Sequence, residues 1–256
     1  MGDDPKQSAS LDVTRSGEPL VTTHTGGLPE FEARRRSSDL EYIYDALKQS
    51  FMIGEFVPGQ RVTLPVLASA FGTSQMPIRE ATNRLVVARA LEALPRRSLR
   101  VPQATTARLD ALLPLRLQLE GEATRLATRP GSRPLAAQLK KINDEMYGRA
   151  ALKDVKSFLR LNQRFHFTLY ENCGNSDLVD LIELLWMRYG PLMNVVHNGV
   201  LSHTGKERHL ELIAAVRDED PAKASAAIRA DIAEAAAQIR EVIAAQAVDA
   251  EESVVE

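Results

Sequence analysis

Between Ile53 and Val101 the chain is punctuated in an order that leaves few folds open to it. Gly54 closes one amphipathic stretch, Pro58-Gly59 makes a turn, and Gly72 makes a sharper one. Ser74 stands where a helix begins, and Arg96-Arg97-Ser98 separates two short extended runs, 91–95 and 99–102. Glycine supplies backbone conformations that other residues resist, and serine satisfies open backbone donors at a helix start, so these marks have physical force. They divide the segment into helix, turn, short helix, tight turn, helix and basic hairpin. That succession is a helix–turn–helix with a wing, a shape that places its last helix in the major groove of DNA.

The first helix is expected from Ser38, which has capping-box spacing to Glu41. Its apolar stripe is Leu40, Ile43, Tyr44, Leu47 and Phe51. A second helix, 65–71, is expected to bury Val66, Leu67 and Ala70. In the third, 75–88, Ile78, Ala81 and Leu85 share the inward face and leave Gln75, Arg79, Thr82 and Asn83 on the opposite one. Arginine grips guanine, and Gln or Asn grips adenine, through two hydrogen bonds. Arg61, Arg96 and Arg97 bring positive charge beside that face, and charge set against phosphates supplies much of DNA affinity. The whole chain carries a net charge of only −2, so any nucleic-acid surface is local.

Residues 1–37 are polar and read as a disordered tail, with Arg34-Arg35-Arg36 a solvated charge run or, as the alternative, an arm that touches phosphates beside the DNA-reading domain. Beyond a linker at 102–106, helices are expected at 107–128, 134–149, 153–173, 176–200 with a kink at Gly190-Pro191, 205–218 and 221–246, and then an acidic tail at 247–256. The expected fold class is mainly α: an N-terminal winged helix–turn–helix domain at 38–102 and a C-terminal antiparallel helical bundle at 107–246 for effector binding and dimerisation. The single cysteine, Cys173, the lack of a signal-peptide core and the lack of any membrane-length apolar run point to a cytoplasmic protein with no membrane partner.

Chemistry-bearing residues gather in the bundle. Arg116 falls within the stripe Leu112, Leu115, Leu119, Ala123 and Leu126. An inward arginine needs an anion. Glu120, one turn on, offers an exposed pair worth little; a bound carboxylate is the other reading. On 153–173, Asn162 and His166 lie one turn apart, in line with Phe158, Leu161, Phe165 and Leu169. His209 and Asp231 are each about eleven residues from the turn near Asp220, or roughly 16 Å along their helices, so antiparallel pairing sets them level. Two imidazoles and a carboxylate beside Asn162 suit a divalent metal, zinc or nickel-like; a metal-free pocket in which the same groups hold an effector is the alternative. His197 and His203 have no comparable partners and read as structural or surface residues.

Ile53-Gly54, Pro58-Gly59-Gln60-Arg61-Val62, Leu67-Ala68, Phe71-Gly72-Thr73-Ser74, Pro77-Ile78-Arg79-Glu80-Ala81 and Arg84-Leu85 resemble the winged helix–turn–helix of GntR-type bacterial transcription regulators. The likeness continues into the FCD effector domain of the FadR subfamily through Arg116-Leu117-Gln118-Leu119-Glu120, Phe165-His166, Gly174-Asn175 and His209. It implies that Arg79 contacts DNA. It also implies a metal held by Asp, His, His and His, where this chain has Asn162, His166, His209 and Asp231. One carboxylate has changed sides of the site. Gln75 stands where the family usually has Arg, Ser98 where the wing tip usually has Gly, and Pro65 where a charged residue is common, so the operator sequence is expected to differ from the family's usual one.

The function expected is a ligand-responsive DNA-binding regulator. It would bind a two-fold double-stranded operator as a homodimer and sense a small organic acid near Arg116, Asn162, His166 and His209, with repression relieved by ligand the commoner outcome implied by the resemblance. A metal-dependent enzyme using His166, His209 and Asp231 to activate water is the alternative; it leaves the winged segment without purpose and lacks a persuasive general base.

Overall fold

The computed structural model describes residues 40–95, 98–195 and 204–255, with side chains as far as 246. The expectations for residues 1–37, Ser38, Arg96, Arg97, His197 and His203 lie outside the described residues. α1 (Leu40–Met52) buries Ile43, Leu47 and Phe51 at helical spacing, and Gly54 turns the chain at φ 70°. β1 (Arg61–Val62) follows, then α2 (Leu64–Phe71), which takes Pro65 in its first turn and ends at left-handed Gly72. α2 is rotated from the expected register. Leu64, Leu67, Ala68 and Phe71 are buried, whereas Val66 is exposed and Ala70 half-buried, so the core-facing edge is the set three, four and seven residues on from Leu64.

α3 (Gln75–Val87) begins after Ser74, whose backbone is extended as at a helix start but whose side chain makes no capping bond. The wing is a three-stranded antiparallel sheet of order β1–β3–β2, with β2 (Glu92–Leu94) and β3 (Ser98–Arg100) pairing Ala93 with Leu99, and β3 pairing Leu99 with Val62. β1 has no place in the sequence expectation. A two-residue strand leaves no alternation to read, and only its partner reveals it.

Six helices make the bundle: α4 (Thr106–Ala127), α5 (Arg133–Ala151), α6 (Val155–Tyr170), α7 (Ser176–Asn194), α8 (Thr204–Arg217) and α9 (Pro221–Val255). Thr105, Asp154 and Asn175 cap α4, α6 and α7 by accepting from the backbone N–H three residues on. α4 and α9 run antiparallel, as Ser225 Oγ donating to Gly121 O and Arg240 pairing with Asp110 require. α7 is described to Asn194, and the expected extension over 196–200 lies outside the described residues. α9 runs on through 247–255, so the acidic end is helical; that stretch holds neither Gly nor Pro. In α4 the buried stripe is Leu109, Leu112, Arg116, Glu120, Ala123 and Ala127; Leu115 is exposed, and Leu119 and Leu126 are half-buried. Among the described residues no helix is long and apolar enough to cross a membrane.

The two parts meet along α1 and α7. Lys48 Nζ donates to Glu183 at 3.0 Å, Asn194 Nδ2 to Gly54 O at 2.7 Å, and Arg188 Nε to Ala88 O at 2.7 Å. Gly190 lies so close to Phe51 O that a Cβ there would collide with it. One hydrophobic core joins Phe51, Ile78 and Leu85 of the winged part to Phe165, Trp186 and Ile228 of the bundle.

Candidate functional site

On α3, Ile78, Ala81 and Leu85 are fully buried, and Gln75, Arg79 and Asn83 are exposed on the far side. Thr82 does not join them. It is 1% exposed, and its hydroxyl donates back to Ile78 O at 2.8 Å, so it belongs to the core. Threonine four residues after a helix carbonyl is free to make that bond, which hides it from a face argument. Arg79, Asn83, Leu94 and Ser98 border a groove between α3 and the wing strands. Arg61 is exposed at the start of β1, opposite Arg100 on β3. The exposed half of α3 thus presents Gln, Arg and Asn side chains, with exposed Arg61 on the sheet and Arg100 paired with Glu92 at 2.7 Å.

The second site is a cavity of about 140 Å³ inside the bundle. Arg116, Asn162, His166, His209 and Asp231 all line it. His166 Nε2 lies 3.6 Å from one Asp231 oxygen, and His209 Nε2 lies 3.6 Å from the other. Neither separation is a hydrogen bond; both are near the roughly 3.0–3.4 Å that two ligands of one ion keep when each bond is about 2.0–2.2 Å. One ligand atom from each of the three residues falls within 4.8 Å of the others.

The far sides of the rings have buried partners. Tyr170 Oη donates to Glu120 at 2.6 Å, so it accepts from His166 Nδ1 at 3.1 Å. His209 Nδ1 donates to Asn143 Oδ1 at 3.0 Å. With Nδ1 of each ring turned to these partners, Nε2 of both rings faces the Asp231 carboxylate. Burial, helped by His209 and Arg116, pushes the His166 imidazole down to about 3, so it is neutral near pH 7. Burial alone would raise the Asp231 carboxyl; His209, His166 and Arg116 bring it below its ordinary value. A divalent cation is the partner that this donor set fits, with Tyr170 and Asn143 orienting the imidazoles from behind.

Arg116 has its carboxylate inside the protein. Nε donates to Glu120 at 2.6 Å and Nη2 at 3.2 Å, with both side chains buried. The pair is therefore not the exposed one expected, because Tyr170 and Trp186 arrive from α6 and α7 to cover Glu120 and donate to it. The guanidinium carbon lies 5.0 Å from the Trp186 ring and 4.0 Å from the Tyr189 ring. Burial opposes its charge, yet Glu120 holds its pKa above the ordinary arginine value. Asn162 is half-buried on the cavity wall. Sequence reasoning missed Tyr147, Trp186 and Tyr189, which also line the cavity; aromatics at helical spacing look like ordinary core residues.

An exposed reading helix with a wing, docked on a helical bundle that encloses a polar cavity, defines a DNA-binding regulator with a separate sensing part. Residues 40–101 match the description "Bacterial regulatory proteins, gntR family", and residues 111–234 match "FCD domain". The chain belongs to the GntR family and carries an FCD domain. It is 29% identical over 178 residues to the HTH-type transcriptional regulator McbR of Escherichia coli, covering 68% of this chain and 80% of that one. It is 24% identical to the HTH-type transcriptional repressor GlaR of the same species, over 73% and 89% of the chains. The solved structure of E. coli McbR/YncC has a TM-score of 0.76 at 25% identity, over 80% of this chain and 99% of that one. A regulator from a Rhodococcus species has a similar fold, at TM-score 0.64, 22% identity, and coverage of 79% and 98%. The family matches and relatives are transcription regulators, not enzymes, so the alternative of a metal-dependent enzyme falls.

Proposed function

We propose that this protein is a cytoplasmic repressor that binds a two-fold DNA operator as a homodimer and releases it when a small carboxylate occupies the bundle. Residues 38–102 read DNA, and 107–246 bind effector and pair the protomers. Gln75, Arg79 and Asn83 reach base edges, while Arg61, Arg96 and Arg97 meet phosphates. One α3 helix reads too few base pairs for genomic specificity, which is why a dimer on paired half-sites is needed.

The observation that carries the sensing role is the meeting of His166 Nε2, His209 Nε2 and Asp231 in the cavity. These three would hold a divalent metal, with Asn162 beside it as a weaker neutral oxygen donor. The metal would supply positive charge to attract a carboxylate. Arg116 and Glu120 cancel each other, and Asp231 leaves the cavity negative, so the residues alone do not favour an acid. Ligand would shift the equilibrium between two placements of the reading module.

The test is elemental analysis of protein purified without chelator, followed by gel-shift on a selected operator with a panel of organic acids. Bound metal near one equivalent, and an acid that releases the operator only from metal-loaded protein, are expected. Metal-free protein that still responds to acid would reject the metal reading, and no response to any acid would reject the effector class.

A further inference from the structure

The C-terminal end of α3 carries carbonyls that its own chain does not cover. Backbone N–H groups of Ala88, Arg89, Ala90 and Leu91 fold back onto the carbonyls of Arg84, Leu85 and Val86. A helix cannot satisfy its last carbonyls internally, and Ala88 O and Arg89 O are left to the bundle. Arg188 Nε, from α7, donates to Ala88 O at 2.7 Å. Arg108 Nη2, from the first turn of α4, donates to Arg89 O at 3.3 Å and to Arg188 O at 3.2 Å. One nitrogen of Arg108 therefore ties together the end of α3, the start of α4 and the backbone of α7.

Arg108 and Arg188 are both half-buried, and their hydrogen-bond partners among the described residues are backbone carbonyls, not carboxylates. Burial, partly offset by Glu92, brings the Arg108 guanidinium below its ordinary value, and burial with the Arg89 charge nearby does the same to Arg188. Arg108 Nε is buried with no hydrogen-bond partner, and Arg89 holds a left-handed φ of 57° that residues other than glycine seldom take. Like charges gathered in this way are unfavourable in themselves; the compensation is the negative end of the α3 dipole, which favours cations. What the cluster adds to apolar burial is direction, because burial is non-directional and charge-assisted hydrogen bonds are not. We propose that Arg188 and Arg108 are positioning residues for DNA reading, a role that rests on α3 being the helix that enters the groove. They hold the C-terminal end of α3 against the bundle and so set the angle at which Gln75 and Arg79 meet base edges. Gln75 is roughly 20 Å from Ala88 along the helix, so a tilt of about 5° at the held end moves it by roughly 2 Å, enough to break a base contact.

The test is quantitative gel-shift of the full-length protein on an operator selected with the parent chain and on an unrelated duplex of equal length, at several salt concentrations. The variants are Arg188→Met, Arg188→Lys and Arg108→Met. Arg188→Met should raise the operator Kd about tenfold and the unrelated-duplex Kd by less than about threefold, because it loses an aiming bond and no DNA contact. Arg188→Lys keeps a charged donor near Ala88 O and should recover most of the preference. Arg108→Met leaves the bond to Ala88 O in place and should lower the preference by about threefold. The dependence of log Kd on log salt should match the parent in every variant, since no phosphate contact is removed. Loss of folded protein weakens binding to both duplexes alike and leaves their ratio untouched, so the ratio separates aiming from stability. An unchanged ratio in both methionine variants would overturn the proposal. So would equal weakening on both duplexes with a salt slope smaller by about one, which would make the arginine a phosphate contact. A parent with no preference for its operator would sink the reading of DNA by α3, and this role with it; variants that keep the parent's preference sink the role alone.

Discussion

Glu120→Ala tests the buried network most directly. Glu120 is 0% exposed and accepts two bonds from Arg116, one from Tyr170 and one from Trp186. Its removal leaves a guanidinium buried without a counter-charge, and breaking a buried pair in this way costs about 3–5 kcal/mol. The stranded Tyr170 and Trp186 donors each add about 1–3 kcal/mol, less than additively because they share one acceptor. A loss of at least about 4 kcal/mol is expected from a stability that is typically about 5–15 kcal/mol. Urea unfolding followed by far-ultraviolet circular dichroism measures it. The double substitution Arg116→Met with Glu120→Leu should recover only the part due to the stranded guanidinium, because it removes both charges together but leaves the Tyr170 and Trp186 donors without their acceptor. If Glu120→Ala unfolds at the parent's midpoint, Arg116 does not depend on Glu120, and the account of the cavity floor is wrong.

Other expectations follow from single features. Arg79→Ala should abolish sequence-specific binding in a gel-shift while moving the Tm little, since the side chain is exposed; normal operator binding would misplace the reading face. In metal-free protein, His166 stays neutral down to about pH 3 when folded but takes a proton near 6.5 when unfolded. Its contribution to stability is therefore complete above about pH 6.5 and falls as pH drops toward 3, by up to about 1.4 kcal/mol per pH unit. Urea midpoints between pH 7 and 4 should show this slope in the parent and a shallower one in His166→Phe. Gly190→Ala should break the seam between α1 and α7, since the added carbon meets Phe51 O; faster proteolysis at the 102–106 linker would report it, and a parent-like digestion would refute it.

The sequence showed the reading helix well because Ile78, Ala81 and Leu85 repeat at helical spacing and are all buried. Thr82 escaped because a hydroxyl that bonds its own helix behaves as a core atom. His209 and Asp231 were legible from equal distances to one turn, a property of antiparallel helices that needs no knowledge of their surroundings. Glu120 was not, since its exposure depends on Tyr170 and Trp186 arriving from elements 50 and 66 residues away. Tyr189 carried no signal at all. Its ring lies 4.0 Å from the Arg116 guanidinium carbon, and a contact between α4 and α7 leaves no mark on composition or spacing.

The seam at α7 bears on how such regulators can be recombined. A chimera that joins this reading module to a foreign sensing bundle at the linker would bring neither Glu183 for Lys48 nor the bare backbone at Gly190 that admits Phe51 O. The graft would have to import one flank of α7 along with α1 and α3. Modularity in this chain is thus a property of function, while the interchangeable unit of structure crosses the boundary between its parts.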